Sequence, residues 1–424
     1  MNKRKIINDP VYGFINIHNE FIFDLIQHPY FQRLRNIHQL GLTSFVYPGA
    51  THNRFQHSLG AMHLMQNALD VLCDKGIDIT SQEKEATLAA ILLHDIGHTP
   101  FSHALEFFFV EDLSHEDFTK LLITKLNNDT FKHKLDLTLQ IFENNYRKSF
   151  LHQLVSSQLD VDRLDYLNRD SFYTGVAEGV VGAERIIKML NVYDNQLVAD
   201  IKAIYSIEKF IISRRLMYWQ VYLHKTVHVL EVILMNILKR AKILFQAKQL
   251  NFISPSLRYF FEQTRTYANF INHSDAWEAY TDMDDNDILF CIKMWQQEKD
   301  VILSQLSKRL CNRHLFKIEI AEHAFDASYL EAIRLHVERQ WKMSKEDVSY
   351  FVVSGKMENR AYNRKMESIQ ILDKNGTLFP LENISDHLNH RTLSENVSKY
   401  FVCYPKEIEI NKNTLPFSHH DSIS

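Results

Sequence analysis

Glycine and proline are scarce, 11 and 8 among 424 residues. So few chain breakers argue against long disordered segments and against an all-β fold of many turns. Cysteine is scarcer still. Cys73, Cys291, Cys311 and Cys403 lie far apart and form no C-x-x-C pair, which excludes a disulfide framework and fits free thiols in a reducing compartment. No apolar run approaches the ~20 residues of a membrane span, and the polar, basic Met1–Lys5 is not followed by a signal-type apolar region. A soluble cytoplasmic protein without a membrane partner is expected. The formal charge of −4 offers no basic field, so nucleic acid is not expected as the main partner.

What is present is apolar residues (45%) and 22 histidines. A chain of this length can bury a large core and hold two or three domains. The most informative stretch runs from Thr80 to His98. Thr80 and Glu83 have capping-box spacing and mark a helix start. Ala86 and Leu88–Leu93 leave that helix no polar face, so it should be buried on most sides. It ends at His94-Asp95. An anion at the C-terminal end of a buried helix is disfavoured by the helix dipole and by desolvation, so a cation is expected beside Asp95.

Other helices are expected over Tyr30–Gln39, stopping at Gly41, and over His57–Leu72, preceded by Asn53 or Thr51. Pro100 suits the first turn of a helix carrying His103 and Glu106. Ser114, with Asp117 at N3, starts a helix with His115 in its first position. A single helix over Leu151–Tyr173 would align Val155, Leu159, Asp162, Tyr166 and Arg169. Ile201–Gln246 reads as one long helical region with Arg214, Tyr218, Tyr222 and Lys225 on one face, and Thr281–Asp287 should cap a further helix. Phe14–Ile17 reads as a short strand. From about Leu315 the pattern changes: Phe316–Ile320, Tyr350–Val353, Ser368–Leu372 and Lys399–Cys403 look like strands, and Asp373–Gly376 is a hairpin signal. The expected fold is mainly α, a helical bundle with a smaller C-terminal α+β lobe. Its divisions are an N-terminal segment (1–45), a catalytic body (46–250), a helical extension (251–314) and the lobe (315–424).

Three sets of residues carry chemistry. His57, His94, Asp95 and Asp162 each fall on an apolar helix, and mixed imidazole and carboxylate ligands suit Mn, Fe, Zn, Ni or Co better than Ca. Such a metal would polarise a phosphate group. His98, His103, Glu106 and His115 form an acid–base set, with His115 the candidate general acid. Arg54, Arg163, Arg214 and Lys225 form a cationic set suited to phosphate oxygens. Each residue also has an ordinary structural explanation, as a core histidine, a salt-bridge partner or a solvated face. The combined set is what argues for a site.

The residues also carry a resemblance. His57…His94-Asp95…Asp162, with the stretches Phe31–Gly41, Tyr47–Gly60, His94–His103 and Leu159–Asp170, resembles the HD-domain phosphohydrolases. Within them it is most similar to the deoxynucleotide triphosphohydrolase branch of SAM-and-HD-domain enzymes. The match covers residues 5–225 and continues weakly through Arg313–Lys317; no SAM domain is expected, since the motif begins almost at the first residue. The resemblance implies an HD-domain bundle in which His57, His94, Asp95 and Asp162 hold the metal. His115, backed by His103 and Glu106, would act on the scissile ester, and His98 would touch the α-phosphate. Arg54, Arg163 and Arg214 would bind the triphosphate, and Gln39, Tyr166, Asp170 and Tyr222 the sugar and base end. Lys5, Asn8, Gln32 and Arg35 would form an activating nucleotide site.

Three positions depart from the pattern. Glu106 replaces an aspartate, and Leu223 replaces a glutamine near the base. Gln27 stands where a guanine-reading aspartate is expected; a neutral amide does not duplicate the carboxylate's pairing with guanine, which argues against guanine-nucleotide activation of that kind.

The expected function is therefore a metal-dependent phosphohydrolase cleaving deoxynucleoside triphosphates to deoxynucleoside and tripolyphosphate, with Mg²⁺ accompanying the nucleotide as a further candidate. The alternatives are a phosphomonoesterase acting on nucleoside monophosphates and a nucleotide- or single-strand-binding scaffold. The resemblance also implies a homo-oligomer, a dimer or a tetramer.

Overall fold

The computed structural model describes residues 5–17, 19–263, 265–271, 274–358, 368–386 and 398–408. The chain is mainly α-helical, a helical bundle followed by a smaller α+β region. Three helices form its centre. Arg54–Asp74 starts at Asn53, whose side chain accepts from Gln56 N while Gln56 Oε1 accepts from Asn53 N. Ser81–Leu93 starts at the Thr80–Glu83 capping box, as the spacing predicts. Val161–Thr174 starts at Asp160. The first of these packs against both of the others. Ser81–Leu93 is buried from Ala86 to Leu93, which places His94 and Asp95 at the floor of the bundle. His115–Asp129 begins at the expected Ser114–Asp117 box, and Asp285–Trp295 is capped by Asp284.

Several expected helices are broken. Tyr30–Gln39 is one short α turn, Pro29–Gln32, and a 3₁₀ turn, Arg33–Asn36. His38 then pairs with Asn53 across a β-bridge, and Gln39 N donates to His52 O, so the backbone is taken out of helix. After Pro100 only the 3₁₀ turn Ser102–Leu105 forms, because Phe101 and Ser102 adopt φ of +55° and +57°, with Phe101 N held by Asp285 Oδ1. Glu106 lies beyond it, so the expected helical pairing with His103 is not what brings them together. Leu151–Tyr173 is two helices, Ser149–Val155 and Val161–Thr174. Asp160 accepts from Ser157 N and Arg163 N, starting a new helix where continuity is expected. Val155 and Leu159 therefore share no face with Asp162. Ile204–Met217 passes through a wider π turn at Tyr218–Tyr222 and stops. Lys225–Gln246 leaves with a bend of 53°, so Lys225 is on a different helix from Arg214. Among the described residues no single helix is long and apolar enough to cross a membrane.

The strands lie in small sheets. Lys5–Asp9 and Gly13–Ile17 make an antiparallel hairpin, of which only the second strand is expected from sequence. Lys317–Ala321, Ser398–Tyr404 and Val353–Glu358 form an antiparallel sheet with Ser398–Tyr404 in the middle; Tyr350–Val352 is a turn before the last of these rather than part of it. Tyr329, Ile333, Val337 and Val402 form a small second core beneath it. The Asp373–Gly376 hairpin forms as expected, but Gln370–Leu372 pairs in parallel with Gln196–Asp200. The C-terminal strands thus divide, one pair being added to a hairpin, Leu190–Tyr193 with Gln196–Asp200, that belongs to the body.

Candidate metal centre

Three elements bring four ligand groups together. His57 Nε2 lies 3.0 Å from Asp162 Oδ1, 3.3 Å from His94 Nε2 and 3.8 Å from Asp95 Oδ2. His94 Nε2 lies 3.5 Å from Asp162 Oδ1 and 3.4 Å from Asp95 Oδ1. Both imidazoles are locked from behind. His57 Nδ1 faces Asp165 Oδ2 at 2.7 Å, and His94 Nδ1 faces the Ile91 carbonyl at 2.6 Å. Acceptors at both Nδ1 atoms require Nδ1–H, which leaves two Nε2 lone pairs pointing at each other. That arrangement is repulsive unless a cation lies between them, so these residues fit a divalent metal. The surrounding carboxylates draw positive charge to these imidazoles, a proton at His57 Nε2 where no metal is bound. Burial opposes charge on His57, yet hydrogen bonds to Asp162 and Asp165 outweigh it and push its pKa up to about 10. Burial likewise opposes charge on Asp162, and His57 and His94 hold it far below the usual carboxylate range. Asp95 is also held well below that range, against its burial, by Arg54, His94 and His98.

The acid–base set adjoins this centre. His98 Nε2 is 3.2 Å from Asp95 Oδ1, and its ring stacks on His115 with centroids 4.0 Å apart. Burial, with Arg54 and His115 alongside, keeps His98 well below its ordinary pKa and neutral. Glu106 links the other two. Its Oε1 accepts from His115 Nδ1 (2.6 Å) and His115 N (3.1 Å), and Oε2 faces His103 Nδ1 at 3.2 Å. Half-burial opposes charge on Glu106, but the two histidines hold it ionised. The structure therefore joins all four residues, with His115 partly buried and His103 at the surface.

Comparison with known proteins decides the family. The HD domain model matches residues 54–170, and the HD associated region matches 181–251. A phosphohydrolase structure from Bacteroides thetaiotaomicron is 48% identical, with a TM-score of 0.91, covering 95% of this chain and 100% of that one. The chain belongs to the HD-domain phosphohydrolases. An uncharacterized Bacillus subtilis protein, YwfO, is 34% identical over 96% of this chain and 94% of its own length. The deoxynucleoside triphosphate triphosphohydrolase SAMHD1 of Homo sapiens is 29% identical over 56% of this chain and 44% of its own, so the likeness spans less than half of that protein.

In this HD-domain phosphohydrolase the expected substrate residues are disposed unevenly. Asp162, Tyr166 and Asp170 succeed one another along one helix, a stripe of ~12 Å at 1.5 Å per residue. Asp170 accepts from Tyr222 OH on Oδ2 (2.8 Å) and meets His52 Nε2 on Oδ1 (2.7 Å). Tyr166 packs edge-on to Tyr222. Gln39 Oε1 is buried without a hydrogen-bond partner among the described residues. Two arginines are already engaged: Arg54 by Asp95 (2.5 Å) and Ser102 Oγ, and Arg163 by Asp160 and the Ser157 carbonyl. Of the expected activator residues, Gln32 and Arg35 are joined by a hydrogen bond, whereas Lys5 and Asn8 lie on the first strand of the hairpin. Gln27 is exposed at the end of the Glu20–Gln27 helix.

Sequence reasoning missed the support of His57. Asp165 accepts from Arg169 through Nε (2.9 Å) and Nη2 (3.0 Å), and Arg169 Nη1 donates to Asp9 Oδ2 (2.8 Å). The i, i+4 spacing of Asp165 and Arg169 was a readable signal. His52 was missed too. Gly60 completes the cradle, since a Cβ there would lie 2.1 Å from both Arg169 Nη2 and Asp165 Oδ1. Gly60→Ala should therefore destabilise the protein by about 3–5 kcal/mol, the cost of breaking a buried ion pair. Urea unfolding of the variant measures this.

Proposed function

We propose that this phosphohydrolase cleaves deoxynucleoside triphosphates to deoxynucleoside and tripolyphosphate. The observation that carries the reading is Arg214. It is buried beside Tyr166, its Nη1 reaches Gln158 Oε1 at 3.4 Å, and its Nε has no hydrogen-bond partner among the described residues. No carboxylate pairs with it among the described residues. A buried guanidinium in that state calls for an anion. Its place beside the Asp162–Tyr166–Asp170 stripe suits a polyphosphate whose sugar lies at the Asp170 end. The partial likeness to SAMHD1 supports the same substrate class.

A divalent transition metal held by His57, His94, Asp95 and Asp162 would supply Lewis acidity at the α-phosphate. The remaining work falls to the chain. His98 bridges the metal centre and the acid set and is placed to contact the α-phosphate. His115, with Nδ1 committed to Glu106, turns Nε2 outward to protonate the 5′-oxygen as a water oxygen bonds to the α-phosphorus and the phosphorus–5′-oxygen bond breaks. Gln39 Oε1 offers an unfilled acceptor to a sugar hydroxyl, and Tyr166 against the ribose would exclude a 2′-hydroxyl.

The test is incubation of metal-loaded protein with the four deoxynucleoside triphosphates and separation of products by ion exchange. Tripolyphosphate is the expected product, and orthophosphate or pyrophosphate alone would sink the proposal. Arg214→Ala should raise KM about 10–100-fold, the worth of a charge-assisted hydrogen bond. The prior pairing of Arg54 and Arg163 favours a second reading, a nucleoside monophosphate as substrate. Unchanged kinetics in Arg214→Ala and Arg163→Ala, with orthophosphate released from monophosphates, would select it.

A further inference from the structure

The Lys5–Ile17 hairpin lies outside the segment that the HD domain model matches, which begins at residue 54. It nevertheless sends a carboxylate towards the metal centre. Asp9, at the end of its first strand, is buried. Its Oδ1 accepts from the backbone N–H groups of Val11 (2.9 Å) and Tyr12 (3.0 Å) and so shapes the turn. Its Oδ2 leaves the hairpin and accepts from Arg169 Nη1, 160 positions away. Arg169 is wholly buried, carries the Tyr12 ring 5.7 Å from its guanidinium carbon, and holds Asp165 through its other two nitrogens. Asp165 in turn accepts from His57 Nδ1. Turn formation accounts for Oδ1 alone; a local turn has no use for a buried arginine on a distant helix.

We infer that Asp9 is a positioning residue of the metal centre, setting the metal affinity of His57 through Arg169 and Asp165. The inference rests on the reading of His57 as a ligand. Asp165 is shared between the guanidinium and the His57 Nδ1–H. With Asp9 present, the charge of Arg169 is divided between two carboxylates. Without it, the whole charge falls on Asp165 and draws electron density from the Nδ1–H bond. His57 Nε2 then becomes a poorer donor. Burial of every link keeps water from screening the effect.

The experiment uses the full chain stripped of metal and titrated with Co²⁺, read by its visible absorption band, with circular dichroism as the check on folding. Asp9→Asn retains an oxygen for the turn but presents a neutral amide to Arg169. Its Co²⁺ affinity should fall about tenfold, the lower end of the range for outer-shell substitutions, and the band should shift. Asp9→Glu should recover most of the loss. Phe14→Ser, on the exposed side of the same hairpin, should bind Co²⁺ like the parent protein. If Asp9→Asn does not fold, Arg169→Lys carries the test, since it keeps the charge and loses the fork. Unchanged affinity and spectrum in the folded variant overturn the inference. Absence of any Co²⁺ band in the parent protein overturns the metal-centre reading, and the inference with it.

Discussion

Replacing His115 by alanine lowers turnover by about 10²–10⁴-fold, the range for loss of a general acid. Metal content stays unchanged. The separation of the two effects follows from the geometry. His115 touches no member of the ligand quartet; it stacks on His98 and is held by Glu106. It is also the first residue of its helix. Glu106, ionised between His103 and His115, holds the ring in place through Nδ1. Glu106→Gln keeps an acceptor for Nδ1 but removes the charge, so its loss should lie near the lower end of the same range. Steady-state kinetics with metal analysis of both variants checks this, and turnover in His115→Ala equal to that of the parent protein would remove His115 from the mechanism.

Asp162→Ala has the opposite profile, with metal and activity lost together. A single oxygen of Asp162, Oδ1, lies within 3.5 Å of both His57 and His94 Nε2. Unlike His57, it touches no member of the Asp165–Arg169–Asp9 chain, so its removal leaves those ion pairs in place. The parent protein should gain about 2.7 kcal/mol of stability at a metal concentration 100 times its Kd, seen as a rise in Tm. The variant should show no such rise, and elemental analysis should find it free of metal. A variant that retains stoichiometric metal would mean that three ligands suffice.

Much of the site could be read from residues in order because it hangs on helix starts. The Asn53, Thr80 and Ser114 caps are local hydrogen-bond patterns, and each was legible. They bring His57, His94 and His115 into register with the bundle. The Asp160 cap was hidden because it interrupts a stretch that is helical on both sides. The Leu190–Asp200 hairpin was equally hidden, although Asp194 and Asn195, both at positive φ, are residues that turns of this kind favour. Glu106 shows a different limit. Its pairing with His103 was expected from helical spacing, yet the pair forms outside any α-helix because the Asp285 carboxylate pins Phe101 in a left-handed turn.

What the sequence by itself determined is most of the scaffold and the candidate chemistry: four candidate metal ligands on or at the ends of apolar helices, a candidate acid–base set after Gly97, and a mainly α body. These depend on residue type and short-range periodicity, which survive in one dimension. Only the tertiary structure decided how the charges are shared. It paired Arg54 with Asp95 and Arg163 with Asp160, left Arg214 buried without a carboxylate among the described residues, and ran a chain of ion pairs from Asp9 to His57. The partner of a buried charge is whichever opposite charge the fold brings within a few ångströms, and beyond a single helical turn sequence separation carries no information about that distance.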